Sequence, residues 1–449
     1  MNKQILKEFE NKKITILGFG LEGKSSYKFI RKYFPNMNLD IRTKMPVEDK
    51  VEDDRVNYIA GEEYLNDLDK YDVILKSPGI SFKDIDTTHI KGKILTQLEL
   101  FLKYSNCITI GITGTKGKST TSSLIYKCLK DQGKNVHLIG NIGIPPLDEI
   151  DVIEENSYAV IEMSSHALEF TKVSSNISIL LNIYEEHLDH YNTYKDYAMA
   201  KFNIFKYQKD EDYAIFNLDN ETMNSIGFKY KEHDYAISIN NNENTKTKNT
   251  INLKEDIVYL NGNKVYDKKY NRKIKGEHNL NNIMFVLAVG NILNLDLSKT
   301  IKSISEFNPL EHRLEYVGKF DGIEYYNDSI ATIPESAMES IKALKNVNTL
   351  LVGGKDRGVD LNKLIEFLKT SNIENFICLP RTGEYIANGL KETNKNVIQV
   401  KTMPEAVEIA KKVTKKDTIC LLSPAASSYG YFKNFEERGS IFKDCVKKK

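Results

Sequence analysis

The architecture of the chain is indicated by one segment, Gly111-Ile112-Thr113-Gly114-Thr115-Lys116-Gly117-Lys118-Ser119-Thr120-Thr121. The apolar residues 108–110 before it predict a buried strand, and the stretch from Ser122 onward predicts a helix. Backbone N–H groups in a loop of this kind, together with the N-terminus of the following helix, form a site for an anion.

The side chains of this loop indicate which anion it binds. Lys118 offers a point charge to the outer phosphates of a nucleotide, and Ser119 or Thr120 can ligate Mg²⁺. A strict phosphate-loop pattern has glycine where this chain has Ile112, and a purely structural glycine turn is the alternative. We expect ATP to contact Gly114, Thr115, Lys116, Gly117, Lys118, Ser119 and Thr120.

Length and hydrophobic patterning predict three α/β domains. At ~150 residues per domain, a chain of 449 residues corresponds to about three. Apolar runs that end at a glycine occur before Gly18, Gly111 and Gly353, and each is typical of a buried parallel strand that leads into a helix. We place the domains at residues 1–104, 105–308 and 309–449.

Charge and composition exclude several classes of protein. The 63 basic and 62 acidic residues leave a formal net charge of +1, which argues against nucleic-acid binding. The N-terminus lacks the apolar core of a signal peptide, and no run approaches the ~18 apolar residues of a membrane span. The five cysteines lack metal-ligand spacing. We expect a cytoplasmic protein that contacts neither membrane nor nucleic acid and is monomeric.

A carboxylate follows a second apolar run. Glu162 comes directly after residues 159–161 and precedes two serines. Oxygen ligands at the end of a strand suit Mg²⁺, which prefers hard ligands and also uses the phosphates of a substrate. The alternative for Glu162 alone is a helix-capping or surface role.

Two further segments, at residues 180–191 and 194–205, contain His187 and Lys201. Together with the loop they resemble the Mur ligase family, whose members activate a carboxylate with ATP and then add an amine. The resemblance implies that His187 binds a second Mg²⁺ and that Lys201 is carbamylated. Carbon dioxide adds only to a neutral amine, so Lys201 must lie where its uncharged form is favoured. The resemblance also implies an α/β fold with Rossmann-like first and third domains around a central phosphate-loop ATPase-like domain.

The first domain carries a glycine fingerprint, Gly18-x-Gly20-x-x-Gly23, with Asp40 about twenty residues further on. Its spacing fits a dinucleotide such as NAD. The family resemblance implies instead that this domain holds the UDP end of a substrate. The residues carried over for substrate binding are Leu21, Glu22, Asp40, Ile41, Arg42, Ser77, Pro78, Gly79, Asn141 and His187.

More ATP contacts are implied by the same resemblance. Asn279 and Asn282 share one face of a predicted helix and would reach the adenine, although such asparagines also cap helices. Arg313 would meet the γ-phosphate and Asp328 the ribose. Arginine suits the charge that develops on a transferred phosphoryl group.

The C-terminal segments resemble the family branch that adds glutamate. Arg357 would bind the amino acid's carboxylate, Thr332 and Ser428 would hydrogen-bond to it, and Phe435 would close the pocket. The segment at residues 432–439 resembles in particular the branch that adds D-glutamate to UDP-N-acetylmuramoyl-L-alanine. The family usually has lysine where this chain has Ile330, so L-glutamate stays open.

The resulting hypothesis is an ATP-dependent, ADP-forming amide ligase of peptidoglycan precursor synthesis that acts through an acyl phosphate. Its catalytic residues would be Lys118, Glu162, His187, Lys201 and Arg313. The alternatives are a folylpolyglutamate- or poly-γ-glutamate-type ligase and a binding protein with an inactive ATP site.

Overall fold

A computed structural model describes residues 3–47, 49–83, 85–188, 190–242, 245–356 and 359–448. The chain divides into two compact units. One comprises Met1–Tyr184, Asp189–Tyr270 and Asn281–Ser305, and the other comprises Glu185–Leu188, Asn271–Leu280 and Glu306–Lys449. The first unit contains two sheets and the second contains one. The α/β fold class is confirmed, and the three-domain boundaries stay a prediction.

The N-terminal sheet is parallel and has five strands in the order β3-β2-β1-β4-β5. The strands are β1 (Ile14–Leu17), β2 (Leu39–Thr43), β3 (Val56–Ala60), β4 (Val73–Lys76) and β5 (Lys93–Leu95). The accompanying helices are α1 (Leu21–Tyr33) and α2 (Gln97–Tyr104). The strand order reverses between β1 and β4, which is where open parallel sheets bind ligands.

The central sheet has nine strands in the order β14-β13-β12-β11-β10-β9-β6-β8-β7. They are β6 (Ile108–Thr113), β7 (Val136–Gly140), β8 (Tyr158–Glu162), β9 (Ile177–Leu180), β10 (Tyr213–Asn217), β11 (Tyr235–Ser238), β12 (Asn249–Lys254), β13 (Ile257–Leu260) and β14 (Asn263–Asp267). Only the β12–β13 and β13–β14 pairings are antiparallel. The helices are α3 (Lys118–Asp131), α4 (Pro146–Glu149), α5 (Ser165–Leu168), α6 (Tyr194–Lys206), α7 (Glu221–Ser225), α8 (Glu277–Ile292) and α9 (Leu297–Glu306).

The sheet of the second unit has the order β15-β16-β20-β17-β18-β19, and only the β15–β16 pairing is antiparallel. Its strands are β15 (Glu315–Phe320), β16 (Ile323–Asn327), β17 (Val347–Gly354), β18 (Asn375–Arg381), β19 (Asn396–Gln399) and β20 (Ile419–Leu422). Its helices are α10 (Pro334–Ala343), α11 (Asn362–Thr370), α12 (Thr382–Leu390), α13 (Met403–Val413) and α14 (Phe435–Lys447).

The two sheets of the first unit share one continuous hydrophobic cluster, which includes Ile16, Phe29, Ile161 and Phe202. Polar contacts reinforce this packing. The Gln97 amide donates to the carbonyl of Glu22 at 2.7 Å, and its oxygen accepts from the backbone N–H of Leu147 at 3.2 Å. The N-terminal strands are therefore fixed to the central sheet by apolar burial and by hydrogen bonds. Within the described part of the chain, no helix combines the length and apolar character needed to cross a bilayer.

Candidate active site

The glycine-rich loop joins β6 to α3, as predicted. Gly114 has φ +157° and Gly117 has φ +87°, and both angles favour glycine. The Lys118 ammonium donates to the carbonyls of Gly114 at 2.8 Å and Thr115 at 3.0 Å. The charge therefore lies over the loop that would hold a phosphate. Ser119 and Thr120 follow in the first turn of α3, and both are buried.

Asn182, which the sequence did not single out, fixes the shape of this loop. It follows β9, the strand beside β6. Its backbone carbonyl accepts from the N–H of Thr115 at 2.9 Å, and its side chain exchanges hydrogen bonds with the backbone of Lys116 at 2.8 and 3.0 Å. The one feature of the sequence that could have identified Asn182 is its position as a polar residue at the end of an apolar run.

Lys201 lies against the same loop. Its side chain is 2% exposed, and Nζ donates to the Gly114 carbonyl at 2.9 Å. The ammonium also lies 4.8 Å from the centre of the Tyr197 ring, and the hydroxyl of Tyr197 is 2.9 Å from that of Thr115. Helix α6 therefore brings a buried amine against the glycine-rich loop, and the carbamylation of Lys201 stays a prediction.

Glu162 ends β8, and the backbone register pairs it with Ile112 of β6. Its Oε1 accepts from the Asn141 amide at 2.8 Å, whereas Oε2 is buried and has no hydrogen-bond partner among the described residues. A desolvated carboxylate oxygen without a partner is costly and suits a cation. Within the described residues no group of three or more His, Cys, Asp or Glu forms a metal cage, so Mg²⁺ here would also use hydroxyls and phosphate oxygens.

Helix α8 contributes the two asparagines. Asn282 packs against the phosphate loop, since a Cβ placed on Gly117 would be 2.5 Å from its Oδ1. The Asn279 amide donates to the carbonyl of Lys275 at 2.7 Å, which is a local contact at the start of the helix. The adenine role of both residues stays a prediction.

A cavity of about 350 Å³ lies at the carboxyl ends of β1 and β2. It is lined by Gly18, Phe19, Gly20, Lys24, Thr43, Lys44, Met45, Pro46, Val47, Asp49 and Ile80. Leu21 is exposed in the first turn of α1, Ser77 donates to the Gly18 carbonyl at 3.3 Å, and Pro78 and Gly79 follow it. Ile80, which follows β4, brings one side of the cavity to the reversal of strand order, and nucleotide binding there stays a prediction.

Three other residues assigned to this substrate belong to the sheet. Ile41 lies in the core. The Arg42 guanidinium donates to the carbonyls of Tyr64 at 2.8 Å and Asn66 at 2.6 Å. Asp40 accepts from the hydroxyl of Tyr71 and from the Asn57 amide at 3.0 Å. These contacts give each residue a structural role, and their substrate roles stay predictions.

A buried lysine lies at the end of β4. Lys76 is 2% exposed, and its Nζ has no hydrogen-bond partner within the described residues. The nitrogen lies 5.0 Å from the Phe170 ring centre and 5.7 Å from that of Phe82. Burial lowers the pKa of Lys76 to about 8 and raises the pKa of Glu22 to about 7.

In the second unit, His187 lies beside a buried carboxylate. Its backbone is left-handed, with φ +62°. The Nε2 of His187 is 3.7 Å from Oε2 of Glu186, and the Thr332 hydroxyl donates to Oε1 of Glu186 at 3.4 Å. The structure thus brings a predicted metal ligand close to a predicted amino-acid contact. Glu186 was missed because an acidic residue beside a histidine carries no signal of its own.

Asp328 is buried at the end of β16 and accepts three hydrogen bonds. Its donors are the hydroxyls of Ser340 at 2.5 Å and Ser423 at 3.0 Å, and the backbone N–H of Leu314 at 3.1 Å. Burial raises the pKa of Asp328 to about 6, although these hydrogen bonds and the charge of Arg313 oppose the shift. Arg313 is thus close enough to act on Asp328, while the ribose role stays a prediction.

The predicted amino-acid contacts lie in neighbouring segments of the second unit. Ser428 is buried after β20, and Phe435 begins α14 with its ring 6.2 Å from that of His312. Arg357 lies outside the described residues.

Comparisons with known proteins agree with this geometry. The Mur ligase middle domain matches residues 112–290, and the Mur ligase glutamate ligase domain matches residues 312–426. UDP-N-acetylmuramoylalanine–D-glutamate ligases are similar over nearly the whole chain. That of Clostridium kluyveri is 32% identical and covers 97% of this chain and 96% of its own length. That of Clostridioides difficile is 32% identical and covers 98% and 99%.

Two solved structures share the fold. UDP-N-acetylmuramate-alanine ligase MurC from Thermotoga maritima has a TM-score of 0.60 at 18% identity, covering 97% of this chain and 99% of that one. The MurF ligase from Thermotoga maritima in complex with ADP has a TM-score of 0.59 at 15% identity, covering 98% and 96%.

Proposed function

The chain belongs to the Mur ligase family, and we propose that it is an ATP-dependent, ADP-forming ligase that joins D-glutamate to UDP-N-acetylmuramoyl-L-alanine. The reaction makes a peptidoglycan precursor. The observation that carries the proposal is the arrangement around one loop: the ammonium of Lys118 lies over it, and the adjacent strand ends at Glu162, one carboxylate oxygen of which has no hydrogen-bond partner in the part of the chain that the structure describes.

The first step is phosphoryl transfer to the alanine carboxylate of the UDP substrate. A carboxylate oxygen attacks the γ-phosphorus of ATP, the bond to the β–γ bridging oxygen breaks, and ADP leaves with that electron pair. Lys118 stabilises the negative charge on the phosphates, and Arg313 is the second cation assigned to it. Bound Mg²⁺ neutralises phosphate charge in such sites. Ser119, Thr120 and Glu162 would hold one ion, and His187 a second.

Lys201 acts as a carbamate. The ammonium first releases one proton, and the neutral nitrogen then adds to carbon dioxide and releases a second, so that a cation becomes a carbamate anion beside the loop. The side chain is buried, and Lys118 contacts the same carbonyl oxygen. The carbamate would help to orient the groups that hold Mg²⁺.

The second step is amide formation. The amine of glutamate attacks the acyl phosphate, and the tetrahedral intermediate collapses to an amide, inorganic phosphate and a released proton. Thr332, Ser428 and Phe435, with Arg357, are the residues assigned to the glutamate side chain and carboxylates. Ile330 leaves this pocket without the usual ammonium, and that observation favours L-glutamate as the second candidate.

The UDP end of the first substrate is assigned to the cavity at the N-terminal sheet, whose volume is about 350 Å³. NAD is the competing occupant, because the glycine spacing alone fits both.

The acceptor specificity is tested by measuring ADP release with two acceptors, UDP-N-acetylmuramoyl-L-alanine and a pteroyl glutamate, each with ATP and D-glutamate. We expect release to depend on the UDP acceptor. Release with the pteroyl compound alone would assign the chain to the folylpolyglutamate type instead. Saturating NAD serves as a competitor and should leave the rate unchanged.

A further inference from the structure

Arg438 in α14 is a fully buried guanidinium, with 0% of its surface exposed. It donates three hydrogen bonds, all to uncharged oxygens. Nε contacts the hydroxyl of Ser329 at 3.0 Å, Nη2 contacts the carbonyl of Ser329 at 2.6 Å, and Nη1 contacts the carbonyl of Ala426 at 3.0 Å. The guanidinium therefore ties α14 to the loop of Ser329, 109 residues earlier, and to the segment of Ala426, 12 residues earlier.

Each of these loops carries a residue assigned to glutamate. Ser329 lies three residues before Thr332, and Ala426 lies two residues before Ser428. The hydroxyl of Ser329 also donates to the carbonyl of Phe435 at 2.8 Å. One side chain thus fixes the spacing of the segments that contain Thr332, Ser428 and Phe435.

A fourth segment packs against the same group. A Cβ placed on Gly354 would lie 3.2 Å from Nη1 of Arg438 and 2.5 Å from the carbonyl of Ser427. The next residue, Lys355, donates its N–H to that carbonyl at 2.8 Å. Because position 354 is glycine, the end of β17 can approach the guanidinium of Arg438. Arg357 follows three residues later in the sequence.

Stability alone does not account for a charge at this position. Burying a guanidinium costs several kcal/mol, and apolar residues of similar volume often stabilise a core equally well. Its planar fork, however, donates in several fixed directions, which neither an ammonium nor an apolar side chain reproduces. We infer that Arg438 is a positioning residue that holds the glutamate pocket in its binding geometry, an inference that rests on the proposed function.

The test compares Arg438→Lys and Arg438→Met with the wild-type protein. Steady-state assays with ATP and the UDP acceptor give KM for glutamate, KM for ATP and kcat, and calorimetry gives the affinity for ADP. Small displacements of binding groups reduce rates by up to ~10²-fold, so we expect KM for glutamate to rise about 10- to 100-fold in both variants. KM for ATP and the ADP affinity should change by less than about twofold.

Two further variants separate positioning from stability. Ser329→Ala removes one acceptor of Arg438 and the link to Phe435 with little change in volume, and it should raise KM for glutamate selectively. Arg31→Met is the control for the loss of a guanidinium outside the pocket: Arg31 donates to the carbonyls of Phe34, Pro35 and Met37 and also pairs with Asp53 at 2.7 Å. It should leave KM for glutamate unchanged even if its melting temperature falls.

The outcomes are distinct. A folded Arg438→Lys or Ser329→Ala protein with normal KM for glutamate overturns the positioning role while leaving the ligase intact. The positioning role is also overturned if KM rises equally for glutamate and for ATP and the rise in each variant scales with its loss of melting temperature. A wild-type protein that binds ADP but consumes no glutamate overturns the proposed function and the inference with it.

Discussion

Lys118 and Lys201 donate to the same oxygen, the carbonyl of Gly114, at 2.8 and 2.9 Å. One lysine begins the helix that follows the phosphate loop, and the other comes from the middle of α6. Two ammonium groups on one carbonyl repel each other, and burial strengthens the repulsion because water screens it less. This repulsion would be relieved in two ways. A bound phosphate would draw Lys118 away from the carbonyl, and a carbamate would reverse the charge of Lys201.

Replacing Lys118 with Ala removes the cation over the loop without opening the core. We expect turnover to fall by about 10²–10³-fold, which corresponds to the loss of one electrostatic contact of ~3–4 kcal/mol in the transition state. Phosphate release measures the effect, and Lys127→Ala on the same helix is the control, since that lysine pairs with Asp131. Near-normal phosphate release in the Lys118 variant would show that the loop is not the ATP site.

Replacing Lys201 with Ala removes the nitrogen that would carry the carbamate. We expect activity to be lost and then partly restored by a short-chain carboxylate in the buffer, because the carboxylate can occupy the vacated space with the same charge. Lys195→Ala, an exposed position in the first turn of α6, should retain activity without rescue. Full activity of Lys201→Ala in carbon-dioxide-free buffer would refute the carbamate.

Replacing Lys76 with Met should stabilise the protein at neutral pH, because the substitution removes from a buried site an ammonium that has no hydrogen-bond partner among the described residues. In the wild type the folded-state pKa is about 8 and the ordinary value is 10.5. Between these pH values the unfolded chain binds more protons, so the free energy of unfolding rises with pH, by on the order of 3 kcal/mol. Urea unfolding from pH 7 to 11 should show this rise in the wild type and in Lys91→Met but not in Lys76→Met.

Asp328 gives a pH dependence of the opposite sign. Its pKa is raised from 3.8 to about 6, so between these values the folded chain binds more protons. The free energy of unfolding contributed by this group therefore falls as pH increases through that window. Asp328→Asn should remove this slope in urea unfolding at pH 4–7, whereas Asp360→Asn, at an exposed position, should keep it. A slope that persists in Asp328→Asn would assign the titration to another group.

Strands that read as continuous apolar runs were predictable from the sequence, although β6 and β17 continue through Gly111 and Gly353. The runs before Gly18, Gly111 and Gly353 became β1, β6 and β17, because strands buried on both faces read as continuous apolar runs. The phosphate loop was equally clear, since its chemistry depends on adjacent residues. The residues that contact the loop from other segments could not be predicted. Asn182 reaches the loop only because β9 lies beside β6, and the order of strands in a sheet cannot be read from adjacent residues of the sequence.

The second feature that the sequence did not predict was the direction in which a side chain points. Arg42 carries a charge suited to a substrate, yet its guanidinium binds the carbonyls of Tyr64 and Asn66. Arg438 is the opposite case, because the sequence assigned it no role and the structure gives it one. Its segment resembled the glutamate-adding branch, but the partners that give it a role, Ser329 and Ala426, lie in other segments. Sequence spacing places residues on a face, whereas tertiary packing decides what they contact.

The central claim is tested most directly by following phosphate release with UDP-N-acetylmuramoyl-L-alanine and ATP, in parallel with D-glutamate and L-glutamate. The account predicts release that requires the UDP acceptor and is faster with D-glutamate at every subsaturating concentration. Release that is selective for L-glutamate would contradict the assigned stereochemistry. It would agree instead with the alternative that Ile330 favours. Absence of release with either enantiomer, in protein that binds ADP, would contradict the ligase itself.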